Sequence, residues 1–247
     1  HEDAKNNLLV AAVPGEDQYG YFGYLKKMIL TLHNIRVMRL GRMPFHGAMT
    51  RISLQNDIKA NILLIGDTAA GKSETLEAFR TLGRDYIRQL RIIADDMGSL
   101  DITPDGQVIA YGTETGAFVR LDDLQKGYEF EQIDRAIIMS PQKVNARVVL
   151  PVTTLEEVLH GYPIDYLLYA NNYEEVDEEH PIVERFETAE AALHVFREGA
   201  AMAKGTTTSK GLVHSYFANI FGPPQYREIH DELAQKTFEA AFHANVF

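Results

Sequence analysis

The chain has 247 residues, of which 45% are hydrophobic, so it can form the core of one large domain or two small ones. Its 35 Asp and Glu outnumber 24 Lys and Arg, and a net charge of −11 argues against general nucleic-acid binding, which needs a basic surface. The absence of cysteine excludes disulfides, thiolate metal sites and cysteine nucleophiles.

Residues 1–18 are predicted to form a polar N-terminal arm ahead of a domain that spans residues 19–247. The apolar stretch from Leu8 to Val13 is too short for the core of a signal peptide and has no basic flank. No apolar run approaches the ~18 residues of a membrane span. We therefore expect a cytoplasmic protein that binds neither membrane nor nucleic acid.

The segment from Tyr19 to Leu30 is rich in aromatic residues and contains two adjacent lysines, Lys26 and Lys27. Its pattern fits a helix or a strand. The residues from Val37 to Leu40 predict a short strand, and His46 follows in a segment that begins at Arg42. Taken alone, these lysines would be surface charges and His46 an ordinary polar residue.

A glycine-rich loop matches the phosphate-loop pattern G-x-x-x-x-G-K-[ST] at every fixed position. Its residues are Gly66, Asp67, Thr68, Ala69, Ala70, Gly71, Lys72 and Ser73, and Glu74 follows. The apolar run Asn61 to Ile65 predicts a strand before the loop, and Glu74 to Leu82 predicts a helix after it. In such a loop, backbone N–H groups and the helix N-terminus bind phosphate oxygens. Lys72 would reach the β- and γ-phosphates, and the Ser73 hydroxyl would bind Mg²⁺.

A pair of acids, Asp95 and Asp96, ends the apolar run from Ile92 to Ala94. The pair should therefore emerge at the carboxyl end of a strand, where α/β sheets bind ligands. One acid can bind a metal directly and the other through water. This arrangement is typical of nucleoside triphosphate sites.

The remaining segments predict a few further elements. Strands are expected at Val108 to Ala110, Ala136 to Met139 and Tyr166 to Ala170, helices at Ala189 to Lys204 and Tyr226 to His243, a solvated acidic loop at Tyr173 to His180, and a polar loop at Gly205 to Gly211.

The order of these segments resembles the nucleotide-binding catalytic half of the phosphoenolpyruvate carboxykinases. The similar segments are Tyr21 to Lys27, Met43 to His46, the phosphate loop, Asp95-Asp96, Glu114 to Arg120, Asn145 to Pro151 and Phe217 to Gly222. Together they cover about residues 19 to 235, and seven markers in one order are more specific than any single match. The resemblance implies an α/β fold with a mixed, twisted sheet around the phosphate loop.

The resemblance also implies functional roles. It assigns a transition-metal site, usually for Mn²⁺, to Lys27, His46 and Asp96, with Ser73 on Mg²⁺. It places Arg120 where the family has a lysine facing the transferred phosphate, and Arg147 where it neutralises charge on the acceptor or the γ-phosphate. Lys72, Asp95 and Lys26 complete the implied catalytic set. The implied activity is transfer of a phosphoryl group from ATP or GTP to an anionic small molecule, with Mn²⁺ and Mg²⁺ as cofactors.

Two departures from the family widen the interpretation. The loop, with Asp67, Ser73 and Glu74, is closer to that of HPr kinase/phosphorylases, which predicts a small-molecule or protein kinase as an alternative. The family also has an N-terminal substrate domain, and almost nothing precedes Tyr19 here. We therefore expect poor use of oxaloacetate, a smaller acceptor, or a second polypeptide that completes the substrate site. A nucleotide-binding regulatory module is a further alternative.

Overall fold

The computed structural model describes residues 1–16, 22–66, 79, 85–120, 137–139, 147–178, 180–203, 211–220, 222 and 226–247. These residues form a mixed α/β fold. The described helices, numbered in chain order, are α1 (Phe22–Arg39), α2 (Leu155–His160), α3 (Ala189–Glu198) and α4 (Arg227–His243), and a 3-10 turn spans Tyr216–Ala218. The described strands are β1 (Glu2–Asp3), β2 (Leu8–Leu9), β3 (Met43–Leu54), β4 (Lys59–Ile65), β5 (Ile87–Ala94), β6 (Met97–Ile102), β7 (Val108–Gly112), β8 (Gly116–Arg120), β9 (Ile137–Met139), β10 (Arg147–Pro151), β11 (Tyr162–Pro163), β12 (Tyr166–Tyr169), β13 (Ala200–Met202) and β14 (Leu212–His214).

The central sheet contains seven of these strands. Six follow the order β11-β7-β6-β3-β4-β12, and β5 also pairs with β3. Strands β4 and β12 run parallel, whereas the other neighbouring pairs are antiparallel. The sheet is therefore mixed, as the sequence predicted for an α/β fold.

Strand β3 is the longest described strand and organises this sheet. Along one edge it pairs first with β6 and then with β5, so that these two strands follow each other with only Asp95 and Asp96 between them. Along the other edge it pairs with β4 from Gly47 onward. A side chain at Gly47 would place its Cβ 2.6 Å from the Leu64 carbonyl oxygen, so the close approach of β4 requires glycine here.

The main hydrophobic core lies between this sheet and the helices. Helix α4 packs against β3, β6 and β7, and α1 and α3 contact it. Aromatic rings fill the space between them; Phe196 and Phe238 meet edge to face with centroids 4.8 Å apart. Helix α3 starts where the Thr188 hydroxyl accepts from the Ala191 N–H, and it ends at Gly199 in the left-handed conformation.

Most predicted elements are confirmed where the structure describes them. Residues Asn61 to Ile65 lie in β4, the strand at Val108 is β7, residues 137–139 form β9, residues 166–169 form β12, and Arg227–His243 is a helix. The acidic run from Tyr173 is irregular and largely exposed. The predicted helix after the phosphate loop lies outside the described residues except for Phe79, which is helical. Residues 205–210 of the predicted polar loop also lie outside them.

Two predictions of secondary structure are wrong. The residues from Val37 to Arg39 form the last turn of α1 instead of a strand, because the aromatic segment continues as a helix of 18 residues. This helix ends before Gly41, whose φ of 82° suits only glycine without strain. The helix that begins at Ala189 stops at Glu198, because Gly199 reverses the chain into β13.

The described part of the N-terminal arm forms the β1–β2 hairpin. Glu2 pairs with Arg39 of α1 and accepts a hydrogen bond from the Tyr226 hydroxyl, so the hairpin is tied to the helices. Strands β8, β10 and β9 form a separate antiparallel sheet. Among the residues described, none of the helices has the length and apolarity needed to cross a bilayer.

Candidate functional site

Three chain segments converge at one edge of the central sheet. Strand β4 ends at Ile65, which lies opposite Gly47 of β3, and the predicted phosphate loop begins there with Gly66. Strand β5 ends at Ala94, and the Gly47 N–H donates to the Asp96 carbonyl oxygen at 2.9 Å. The start of the loop and the acidic pair therefore lie on either side of the same residue of β3.

His46, next to Gly47, is buried and contacts this acidic pair. Its side chain is 1% exposed, and its Nε2 lies 3.0 Å from the Asp96 Oδ1. Its Nδ1 donates to the Ala218 carbonyl oxygen. Because a carbonyl only accepts, Nδ1 carries a proton, and Nε2 faces the carboxylate. Nε2 either carries a second proton that it donates to Asp96 or, without that proton, can bind a metal ion together with the carboxylate.

The His46 Nε2 and the Asp96 Oδ1 are placed where two ligands of a divalent ion would lie. Two neighbouring ligands of an octahedral ion with bonds of about 2.1 Å lie about 3.0 Å apart, which is the separation found here. Imidazole and carboxylate are also the ligand types that Mn²⁺ accepts. No group of three or more His, Cys, Asp or Glu suited to a metal occurs in the described parts of the chain. Further ligands would have to come from lysine, Ser73, phosphate or water.

Lys26 of α1 is the cationic partner of this cluster. Its Nζ lies 2.9 Å from the Asp96 Oδ2 and 3.2 Å from the Glu114 Oε2, and its side chain is 14% exposed. Burial opposes the charge of the ammonium, but attraction to Asp96 and Glu114 outweighs burial and raises the Lys26 pKa. Lys26 is therefore a permanent positive charge in the cluster at neutral pH.

Glu114 belongs to the site, although the sequence analysis did not select it. It follows β7, whose last residue lies opposite Gly98 near the start of β6, and the Thr113 hydroxyl donates to the Met97 carbonyl oxygen at 2.9 Å. Burial raises the Glu114 pKa to about 7, attraction to Lys26 opposes this, and repulsion from Asp96 supports it. Its Oε1 is buried without a hydrogen-bond partner among the described residues. Glu114 is the first residue of a segment that resembles the phosphoenolpyruvate carboxykinases. This resemblance was the feature of the sequence that could have identified it.

An aromatic ring joins the site to the sheet of β8 and β10. The Lys26 Nζ lies 5.3 Å from the centroid of Phe118, and the Arg147 guanidinium lies 5.4 Å from the same centroid. Both distances permit cation–π attraction. The register places the backbone of Arg120 directly opposite Arg147. The side chain of Arg120 lies outside the described part of the structure, so its role beside the transferred phosphate stays a prediction.

The carbonyl that contacts His46 comes from a strained turn. Phe217, Ala218 and Asn219 have φ angles of 47°, 55° and 66°, and Phe217 is fully buried. The left-handed conformation costs roughly 1–2 kcal/mol for each residue other than glycine. Such strain persists only where surrounding contacts hold it, and it is typical of functional sites.

The structure brings several of the predicted site residues together, and others lie outside the part of the chain that it describes. Lys26, His46, Asp95, Asp96 and Arg147 lie around one cluster. Lys27 is exposed on α1 beside Lys26, and Lys26 makes the ion pair with Asp96. The predicted role of Lys27 as a metal ligand stays a prediction. Of the phosphate loop the structure describes Gly66, while residues 67–74 lie outside the described part.

Comparison with known proteins adds no family to this description. No protein-family model matches the chain, and no curated protein is significantly similar to it. Inferences about function therefore rest on the residues of the site and on the sequence motifs.

Proposed function

We propose that the chain is a metal-dependent phosphotransferase that uses a nucleoside triphosphate and resembles the phosphoenolpyruvate carboxykinases in its catalytic half. One observation carries the proposal. The start of the predicted phosphate loop lies on one side of Gly47 of β3, and Asp96, which contacts the buried His46, lies on the other side. A loop that binds phosphates would thus lie beside donors suited to a divalent ion. This proximity is what in-line phosphoryl transfer needs.

The charges of the cluster also support a metal-dependent reaction. Asp95, Asp96 and Glu114 lie near one another, whereas Lys26 and Arg147 are the cations placed there by the described residues. This acidic cluster would repel a triphosphate without further cations. A bound divalent ion would bridge phosphate oxygens and offset their charge. His46 and Asp96 would hold it, with Ser73 and Lys27 as the further ligands that the resemblance implies.

The remaining residues would bind and orient the reactants. Lys26 contacts Asp96 and Glu114 and would keep both side chains in place. Arg147, held against Phe118, would present its planar guanidinium to the transferred group or the acceptor. Lys72 and Arg120 would spread the charge of the γ-phosphate. The protein would contribute positioning and electrostatic stabilisation, with no covalent intermediate.

A second candidate is a kinase of the HPr-kinase type. The sequence of the loop favours it, since Asp67, Ser73 and Glu74 followed by Ala94-Asp95-Asp96 depart from the carboxykinase pattern in that direction. The two candidates differ in the acceptor, which is an enolate in one and a hydroxyl group in the other.

The test is turnover with ATP or GTP and Mn²⁺ across a panel of acceptors. The panel contains oxaloacetate, small hydroxylated anions and a protein with an exposed serine. Transfer to any of them supports a phosphotransferase and selects between the candidates. Nucleotide binding without transfer would identify a regulatory module, and failure to bind nucleotide would contradict the proposal.

A further inference from the structure

His230 of α4 is a buried histidine outside the cluster described above, and both of its ring nitrogens are hydrogen-bonded. Its Nε2 lies 2.9 Å from the Pro44 carbonyl oxygen, and its Nδ1 lies 2.9 Å from the Tyr216 hydroxyl. Because the carbonyl only accepts, Nε2 carries a proton. Burial lowers the pKa of His230 to about 4, so the ring is neutral at pH 7 and Nδ1 accepts from the Tyr216 hydroxyl.

The two groups that His230 joins are related to the site by sequence. Pro44 precedes His46 by two residues in β3, and Tyr216 precedes Ala218 by two residues in the strained turn. The contact between His46 Nδ1 and the Ala218 carbonyl is a second bridge between the same two segments. Strand β4 pairs with β3 only from Gly47 onward, so the Pro44 carbonyl has no partner in β4 and can accept from His230.

The far end of this bridge is anchored in two helices. The Tyr216 hydroxyl also donates to the Asp231 Oδ1 of α4 at 3.2 Å, so its single proton is shared between His230 and Asp231. Arg197 of α3 donates to both oxygens of that carboxylate, each at 2.7 Å. A bidentate ion pair of this kind has a fixed geometry. The position of Tyr216, and with it the start of the strained turn, is therefore set by α3 and α4 together.

We propose that His230 and Tyr216 are positioning residues for His46: their bridge from Pro44 to the turn holds the Ala218 carbonyl against Nδ1 and so keeps the proton on Nδ1 and directs Nε2 toward Asp96. A turn of three left-handed residues does not keep this position by its own conformational preference. Partners of metal-bound histidines outside the ligand shell commonly fix the tautomer and raise metal affinity. The metal part of the inference rests on the proposed function, whereas the tautomer is a property of the chain alone.

Two measurements test the inference on the full chain. Long-range ¹H–¹⁵N spectra of the metal-free protein, labelled in histidine, report which nitrogen of His46 carries the proton, and His46→Gln identifies its signals. Electron paramagnetic resonance of free Mn²⁺ gives the affinity for that ion. The variants are His230→Phe, which removes both bonds, and His230→Gln, whose amide can donate to Pro44 and accept from Tyr216. Phe238→Leu, a change in the same helix and core, is the matched control.

We expect His46 to show a single Nδ1–H tautomer in the unsubstituted chain and in His230→Gln, and a mixture in His230→Phe. Mn²⁺ affinity should fall about 10- to 100-fold in His230→Phe and stay within about threefold in His230→Gln. An unchanged tautomer in His230→Phe, or an equal change in Phe238→Leu, would overturn the inference. If His230→Phe does not fold, Tyr216→Phe makes the same test with the bond to Pro44 intact. Absence of Mn²⁺ binding by the unsubstituted chain would contradict the proposed function, while the spectra would still decide the role of His230.

Discussion

The difference in unfolding free energy between Glu114→Gln and the unsubstituted chain should shift in favour of the variant as the pH rises from about 4.5 to about 8. The carboxyl is buried beside Asp96, and its pKa is raised from 4.5 to about 7. Between these two pH values the folded state holds a proton that the unfolded state has released. The stability due to protonated Glu114 is therefore complete below pH 4.5 and is lost as the pH rises through 7.

The size of the effect follows from the same two values. The difference corresponds to about 3 kcal/mol at about 1.4 kcal/mol per pKa unit. Because Gln does not titrate, the difference in unfolding free energy between Glu114→Gln and the unsubstituted chain should grow by about 3 kcal/mol from pH 4.5 to pH 8. Only this growth is predicted, since the two side chains differ in other contacts as well.

Urea unfolding of the metal-free protein, followed by far-UV circular dichroism at several pH values, measures this difference. Glu175→Gln is the matched control, because Glu175 is an exposed carboxylate in the acidic loop. The control should change stability by a similar small amount at every pH. A difference for Glu114→Gln that stays constant from pH 4.5 to pH 8, or that shrinks, would refute the placement of this carboxyl in a buried acidic cluster.

Three further changes probe other parts of the site. Lys26→Met should destabilise the protein by about 3 kcal/mol at pH 7, the lower end of the range for a buried pair that loses its cation. Glu114→Gln in the same chain should recover part of this loss in a double-mutant cycle, and strict additivity would contradict the ion pair. His46→Ala should weaken Mn²⁺ binding more than Mg²⁺ binding, because imidazole prefers the softer ion, and equal losses measured by competition would argue against His46 as a ligand. Arg147→Ala should lower phosphoryl transfer about 10²–10³-fold while nucleotide affinity changes little, and an unchanged rate would remove Arg147 from the catalytic set.

Local sequence patterns predicted several elements correctly. The strand before the phosphate loop was predicted from a short apolar run and the helix α4 from its helical periodicity, and both are present. Val37 to Leu40 was misread because a short apolar run has the same composition in a strand and in a buried helical turn. The bulk of β3 was not predicted, since its residues Met43 to Ala48 are buried on both faces and do not alternate.

Residues of the candidate site could be selected from the sequence more easily than their contacts. The motifs identified His46, Asp96 and Arg147, whose proximity depends on strands far apart in sequence. The resemblance assigned Lys27 to the metal site with Asp96 and Lys26 to the catalytic set, whereas Lys26 forms the ion pair with Asp96. Which of two adjacent lysines faces Asp96 depends on the rotation of α1 about its axis, about 100° per residue. Glu114, Tyr216 and His230 were not selected because each gains its role from burial and from tertiary hydrogen bonds, which have no local signature.

Nucleotide binding to the unsubstituted chain and to Lys72→Ala tests the central claim most directly. Calorimetric titration with ATP and with GTP, each in the presence of Mn²⁺, gives stoichiometry and affinity, and circular dichroism of both proteins shows whether the fold is retained. The proposal predicts one nucleotide per chain and at least a tenfold loss of affinity in Lys72→Ala, because this side chain would contact the β- and γ-phosphates. Failure of the unsubstituted chain to bind either nucleotide, or equal affinity in the variant, would contradict the proposal of a phosphate-loop phosphotransferase.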